Sequence, residues 1–472
     1  MAKELELIKK IYTKAINDKS PGATTTTNIL IRDINSTLVG NHTFFYELLQ
    51  NMHDVASEND GTVYIRLSGN NLLISHNGRH FDEENINSLC SYSASGTNSK
   101  AAEGNTTGYK DVGFKTVFGV ANTVYVFSKA YKFKFDKQFF EKQTFSYPWQ
   151  IIPIPVEDNE AKIFNYPDEL VSFILICKNP QEIIARLNEL VADPSWFLFL
   201  PRIRSIQFDV NGQKLLLDRE ENTKENTVCF YQNKTLYDKY VFMSYTENIP
   251  LDVFQQLQSA GDDVVPTKLK RETKTKITFA ARTINDKLVT QKQGKLYCLL
   301  PIQHTTGLPF SINAPFLLST NRNEILNSFW NRYLISFITR HYFKWLNALA
   351  MSNKLYADSI LQMVDSEIPN KLLRFTQQLG TQVITEQSHA IKVRSEWGEG
   401  LEREPFIRGR NNEYLTILQA TVDKTGFYHQ LLTLPSPQNT VIVASEVEQQ
   451  QSLLIFGNRQ IDWEELITYL QG

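Results

Sequence analysis

Glu47, Asn51 and Asp54 are spaced i, i+4 and i+7 within residues 44–58, FFYELLQNMHDVASE. On a helix this spacing lines a carboxylate, a carboxamide and a second carboxylate along one face. Phe45, Leu48, Met52 and Val55 fall on the neighbouring face and give the helix an apolar side to bury. The polar row suits magnesium, which takes oxygen ligands, keeps several waters and needs only one or two protein groups where phosphates supply the rest. Asn51 would hold the ion, and Glu47, one turn away, is placed to accept a proton from water. An amphipathic helix with a solvated polar face has the same spacing, and for this stretch alone that is the plainer reading.

Downstream residues change the balance. A hairpin is expected from residues 62–67 and 72–75, and it leads into His76-Asn77-Gly78-Arg79-His80-Phe81. Gly78 permits a close backbone approach there. The polar run 91–107 (SYSASGTNSKAAEGNTT) follows, and then the turn Gly108-Tyr109-Lys110-Asp111-Val112-Gly113-Phe114-Lys115-Thr116-Val117-Phe118. A glycine turn opening a helix offers free N–H groups and a positive dipole end to phosphate oxygens. Lys115 would add a point charge.

In this order and spacing, ExxxNxxD, HNGxxF and GxxxxGFKxVF resemble the GHKL ATPase superfamily, and most of all its sacsin and No Vein-type branch. The motifs cover residues 44–118. A weaker likeness runs through 199–208 (FLPRIRSIQF) to 299–322 (LLPIQHTTGLPFSINAPFLLSTNR). The resemblance implies an ATP- and Mg2+-binding module with Glu47 as general base, Asn51 as metal ligand and Asp54 as the acid closing the helix motif. It places Gly78 beside the adenine, with Gly108 and Gly113 as hinges of a phosphate-covering lid, residues 95–113. Lys100 in that lid, Phe114 in the GFK turn and Arg322, with Lys270 and Arg271, are further candidates for contact with the nucleotide.

Two positions depart from the family pattern. His76 stands where the family reads adenine with an aspartate, and Asp111 replaces the middle glycine of the lid turn. A neutral His76 accepts through only one ring nitrogen, with Asn77 as an alternative acceptor. Asp111 facing a triphosphate would bring like charges together. Hydrolysis to ADP and phosphate, and a nucleotide held only as a structural ligand, therefore both stay open.

The elements that must position these residues are those of a globular chain. Its 472 residues are too many for one ordinary core and suggest two or three domains. A net charge of −2 gives no global sign of nucleic acid or an anionic membrane, although a DNA-associated switch stays open. No apolar run approaches a membrane span and residues 1–14 are charged throughout, so a cytoplasmic location is expected. Cys90, Cys177, Cys229 and Cys298 show no CxxC pairing, which argues against a disulfide framework or a zinc site. No phosphoacceptor helix precedes the motifs, which disfavours a histidine kinase.

The expected fold is α+β, an α/β sandwich in which a mixed sheet carries helices on one face. Residues 1–217 form the ATP-binding unit, with a helix over 4–17 and strands over 122–128, 131–136, 170–177 and 203–210. The polar tract 218–226 marks a boundary to a second, transducer-like α/β unit, 218–325. A helical region spans 326–390, with helices expected over 324–351 and 353–379. Residues 387–412 read as an irregular charged linker or exposed loop, and 391–472 as a linker and small C-terminal accessory region with strands near 440–444 and 453–456. The basic cluster 268–276 reads as a solvated hairpin edge. The resemblance implies nucleotide-driven closure acting on a protein partner or client, with nucleotide-dependent homodimerisation as one form. It points by analogy to chaperone-like work or bacterial defence against phage.

Overall fold

The computed structural model describes residues 2–18, 25, 43–58, 60–91, 113–144, 147–261, 265–291, 294–302, 306–319, 324–376, 383–430, 441–445 and 447–471. Helix α1 (Ala2–Asn17) buries Ile8 and lies on a sheet edge, and Tyr147 donates its hydroxyl proton to the Ile16 carbonyl at 3.1 Å. Helix α2 (Thr43–Val55) packs Phe44, Phe45, Leu48, Leu49 and Met52 inward. Burying each such side chain contributes about 1.5–3 kcal/mol.

Strands β1 (Gly61–Ser68) and β2 (Asn71–His76) form the expected hairpin, with Val63 opposite His76. Gly69 takes φ +59 in the turn, the left-handed conformation that glycine adopts without steric cost. Strands β3 (Ala121–Ser128), β4 (Tyr131–Asp136), β5 (Ile154–Pro155) and β6 (Val171–Cys177) extend the sheet to one side in the order β2-β6-β3-β4-β5. Helix α3 (Pro180–Ala192) then returns the chain to β7 (Ile203–Val210), which pairs in parallel with β1.

The sheet does not stop there. Strands β8 (Gln213–Asn222), β9 (Thr227–Gln232), β10 (Thr235–Asn248) and β11 (Lys274–Ile284) continue it as an antiparallel meander. Short strands β12 (Lys287–Leu288), β13 (Leu296–Cys298), β14 (Leu300–Pro301) and β15 (Ser311–Asn313) complete it. The tract 218–226 is thus the end of β8 and the turn into β9, and the sheet passes through it unbroken. Alternation along β10 sends Tyr240 into the core around α2 and Val241 into a second core around the C-terminal helices.

The second core is built on helix α4 (Phe329–Ser352), begun by the Ser328 hydroxyl, which accepts from Asn331 N–H at 3.1 Å. The helix expected over 324–351 therefore starts later. The stretch 353–379 is not one helix. Asn353 breaks the chain and caps a new start by accepting from Leu355 N–H, and short helical segments Lys354–Ser359, Ile360–Met363 and Ile368–Arg374 follow.

The expected linker 387–412 is corrected more sharply, because most of it is helix α5 (Val383–Arg403), packed along α4. Val393 and Trp397, one turn apart, are its buried anchors, and Glu396 takes a 2.8 Å hydrogen bond from Arg340. Gly400 lets the helix approach Phe343, whose ring a Cβ would meet at 2.6 Å. The basic cluster is also corrected: Thr267–Arg271 is a short helix, and Lys274 begins β11. The expected strand 453–456 is instead the end of helix Val447–Leu454 and the turn after it.

A small parallel sheet, Val441–Ile442, Ala420–Asp423 and Gln460–Ile461, closes the chain with helix α6 (Trp463–Gln471). The molecule is a mixed α/β protein with one large mixed sheet. Among the described residues no helix is long and apolar enough to cross a membrane.

Candidate functional site

The polar row of α2 keeps the arrangement its spacing implies. Asn51 is exposed and Glu47 and Asp54 are half-buried, while residues between them are buried. The three span about 10 Å along the helix axis. Beside Asp54, His53 is buried with Nδ1 3.6 Å from the Asp54 carboxylate, and among the described residues neither ring nitrogen has a hydrogen-bond partner. Sequence reasoning gave no weight to His53, since a lone histidine between Met52 and Asp54 carries no spacing signal.

Two distant segments close on this helix. The first is the 3-10 turn Gly113–Thr116, which packs against α2 and runs into the short helix Val117–Val120. Its phenylalanines are core residues: Phe114 lies 5.5 Å from Phe173, and Phe118 meets Phe135 edge-on at 5.5 Å and Trp149 at 4.9 Å. Phe114, expected among the nucleotide contacts, therefore acts here as an anchor for the turn.

Lys115 is also inside, 3% exposed, and donates to the Ser91 carbonyl at 2.6 Å. Ser91 and Gly113 flank segment 92–112, so this bond ties the roots of that segment together. Lys115 was expected to offer its charge to phosphate, and at least one of its three N–H bonds is committed elsewhere. Next to it, burial pushes the Cys90 thiol up to about 12, against the pull of the Lys115 charge. Such a thiol is not a nucleophile.

The second segment is the turn after β2. Gly78 presses on the last turn of α2: a Cβ there would meet Val55 Cγ2 at 2.8 Å and His76 Nδ1 at 2.9 Å. Arg79 N–H donates to the Val55 carbonyl at 3.0 Å. From the other side, Arg202 donates to the Asp54 carbonyl at 3.3 Å, and its own carbonyl accepts from Gly61 N–H at 2.9 Å. Arg202 thereby caps α2 and fixes the start of β1, a role no local pattern reveals because the partners lie so far apart in sequence.

His76 is 4% exposed, with its ring stacked near Phe173 at 6.4 Å. Burial, with a smaller push from His80, lowers its pKa to about 4, so the ring is neutral at neutral pH. Gly78 N–H donates to its Nδ1 at 3.1 Å. Asn77, the alternative acceptor expected from sequence, spends its carboxamide on the chain. Its oxygen accepts from Thr62 N–H and its nitrogen donates to the Asp60 carbonyl, both at 2.8 Å.

Lys100, Gly108 and Arg322 lie outside the described residues, as do Asp111 and nearly all of the expected lid 95–113. Lys270 donates to the Ala260 carbonyl. Among the described residues no three His, Cys, Asp or Glu side chains gather as a metal site. A cleft of about 580 Å³ near the C-terminal end of α2 is lined by Glu58, Arg202, Arg204, Arg219, Glu220 and Glu221. Arg219 there is bound to the Leu198 carbonyl and Glu221, so the cleft has no spare charge from that residue.

Fold and site together define a mixed α/β protein in which a polar helix face is flanked by two glycine turns. No family model matches the chain. It is similar to Protein NO VEIN of Arabidopsis thaliana, 25% identical over 315 residues, which cover 62% of this chain and 11% of that protein. The chain thus spans about a tenth of the length of that relative.

Proposed function

We propose that residues 43–118 hold a magnesium-dependent nucleotide site of the GHKL kind and that the chain hydrolyses the bound nucleotide triphosphate. One observation carries the reading. The three motif segments, distant in sequence, meet on one helix: the Gly113–Thr116 turn packs against α2, and Gly78 sits against its last residue, Val55. Glu47 and Val55 are two turns, about 12 Å, apart along that helix, room for a phosphate end and a base end of one ligand.

The residues present fit a hydrated magnesium ion. Asn51 offers one exposed carboxamide oxygen and no cage, the donor set of an ion shared with phosphates and water, where it would neutralise developing charge. Glu47 would orient a water and take its proton during in-line attack on the terminal phosphate. Binding would bias the packing of α2 and so reach a protein partner or client through the continuous sheet, with chaperone-like or antiphage work as the wider role. The buried, committed state of Lys115 favours a second reading, a nucleotide-binding scaffold with little or no turnover.

Magnesium-dependent phosphate release from ATP and GTP by the purified chain, beside Glu47→Ala, tests the proposal. Release lost in Glu47→Ala supports an enzyme with this base. Magnesium-dependent nucleotide binding without release from the parent selects the scaffold, and absence of binding removes the site.

A further inference from the structure

We propose that the cleft at the C-terminal end of α2 binds a small zwitterion of the amino-acid or short-peptide kind, with its carboxylate on Arg202 and Arg204 and its ammonium group beside Glu58 and Glu220. The site is separate from the nucleotide site proposed above and does not rest on that reading.

Three stretches of chain meet at this cleft. Glu58 follows α2, Arg202 and Arg204 lie at the start of β7, and Arg219, Glu220 and Glu221 lie toward the end of β8, which pairs antiparallel with β7. Its volume of about 580 Å³ falls within the range of about 300–1,000 Å³ common to small-ligand sites. Three arginines and three glutamates line it, so the charges cancel and no net field draws in a simple anion or a simple cation.

One pair is already closed within the protein. Arg219, 5% exposed, holds the Glu221 carboxylate at 2.7 Å and the Leu198 carbonyl. The other charges stay apart. Arg204 and Glu58 are exposed, and among the described residues neither has a hydrogen bond or an ion pair. Arg202 spends one of its five N–H groups on the Asp54 carbonyl at 3.3 Å. Glu220 lies beside the Tyr231 hydroxyl and, as a carboxylate with about four acceptor sites, can take another donor. Two guanidinium groups two residues apart in the chain offer planar forks that match a carboxylate. Opposite charges that line one cleft without pairing are bridged by a ligand carrying one of each.

Arg202 links this cleft to α2. Its guanidinium caps the Asp54 carbonyl, and its own carbonyl accepts from Gly61 N–H at 2.9 Å, an approach that leaves no room for a Cβ on Gly61. A carboxylate on the remaining N–H groups of Arg202 would hold the guanidinium against the end of α2 and the start of β1. Occupancy should therefore raise the melting temperature, because the unfolded chain has no such site.

The test is calorimetric titration of the full chain, at fixed ionic strength, with triglycine, N-acetyl-triglycine and triglycine amide. These carry both end charges, the anionic end alone and the cationic end alone. The expected result is one triglycine bound per chain, with each blocked peptide weaker by about tenfold or more. Arg204→Gln and Glu58→Gln alter exposed residues, so melting points of the free proteins should stay at the parent's while triglycine affinity falls by about tenfold. Either blocked peptide binding as tightly as triglycine overturns the inference, since one charge would then suffice. Triglycine affinity unchanged in both variants, or no triglycine binding by the parent, overturns it as well.

Discussion

Trp196 stands edge-on to Phe45, with ring centroids 6.2 Å apart and planes inclined by 76°. Through this contact α2 rests on the turn Pro194–Phe197, and that turn is held by the second half of the sheet. Tyr297 donates to the Ser195 carbonyl at 3.0 Å, and Lys295 reaches the Ser195 hydroxyl at 3.1 Å and the Asp193 carboxylate. Trp196→Ala should cost about 3–5 kcal/mol by leaving a cavity under α2. Tyr297→Phe should cost about 1–3 kcal/mol by stripping a buried carbonyl of its donor. Guanidinium unfolding midpoints check both. A Trp196→Ala midpoint equal to the parent's would mean α2 does not depend on this support.

Two asparagines should separate binding from stability. Asn331 is fully buried; its oxygen accepts from Leu317 N–H at 2.9 Å and its nitrogen donates to the Leu317 and Leu326 carbonyls, both at 2.7 Å. Asn331→Ala should therefore cost about 3 kcal/mol or more. Asn51 is exposed, so Asn51→Ala should shift nucleotide-free stability by less than about 0.5 kcal/mol. It should abolish the rise in melting temperature given by magnesium nucleotide. Persistence of that rise in Asn51→Ala would remove Asn51 as the metal ligand.

His76 sets an acid limit. Its folded-state pKa of about 4 lies below the ordinary histidine value of 6.5, so on acidification the unfolded chain takes up its proton first. Stability from this group is full above pH 6.5 and is lost as the pH falls from 6.5 to about 4, by about 3 kcal/mol. His80, also lowered mainly by burial, acts in the same direction. Denaturation at pH 7, 5.5 and 4.5 should give a shallower slope for His76→Gln than for the parent.

Neighbouring glycines in α5 should respond oppositely to alanine. A Cβ on Gly398 meets nothing within 4 Å, so Gly398→Ala should stabilise by up to about 1 kcal/mol through helix propensity. Gly400→Ala drives a methyl into the Phe343 ring and should destabilise by about 1–3 kcal/mol. Thermal melts of the two variants moving in the same direction would contradict the packing of α5 on α4.

These glycines show why part of the fold was hard to read. In the sequence, WGEGLER resembles a flexible linker, because the glycines signal freedom while the partner that demands one of them, Phe343, is far away along the chain. Strands were legible where alternation and turn residues agreed, as in β1, β2, β3 and β4. The continuity of the sheet through 218–226 was not, since a charged strand end and a boundary have the same composition. At the site, the row Glu47, Asn51 and Asp54 could be found from spacing alone. The commitment of Lys115 to Ser91 and the cap from Arg202 on Asp54 depend on long-range geometry, which residue types do not encode.

The parallel pairing of β1 with β7 also governs the order in which the chain can be completed. Val63 finds Ile206 only after β2 to β6 and α3 have been made. Until then β1 has one satisfied edge, toward β2, and one open edge carrying alternately buried residues, the kind of surface that recruits other chains. During synthesis the α2 site therefore rests on an unfinished sheet until residues 203–210 emerge. A fragment ending before Ile203 would expose that edge permanently, so a shortened form that keeps residues 43–118 intact should aggregate.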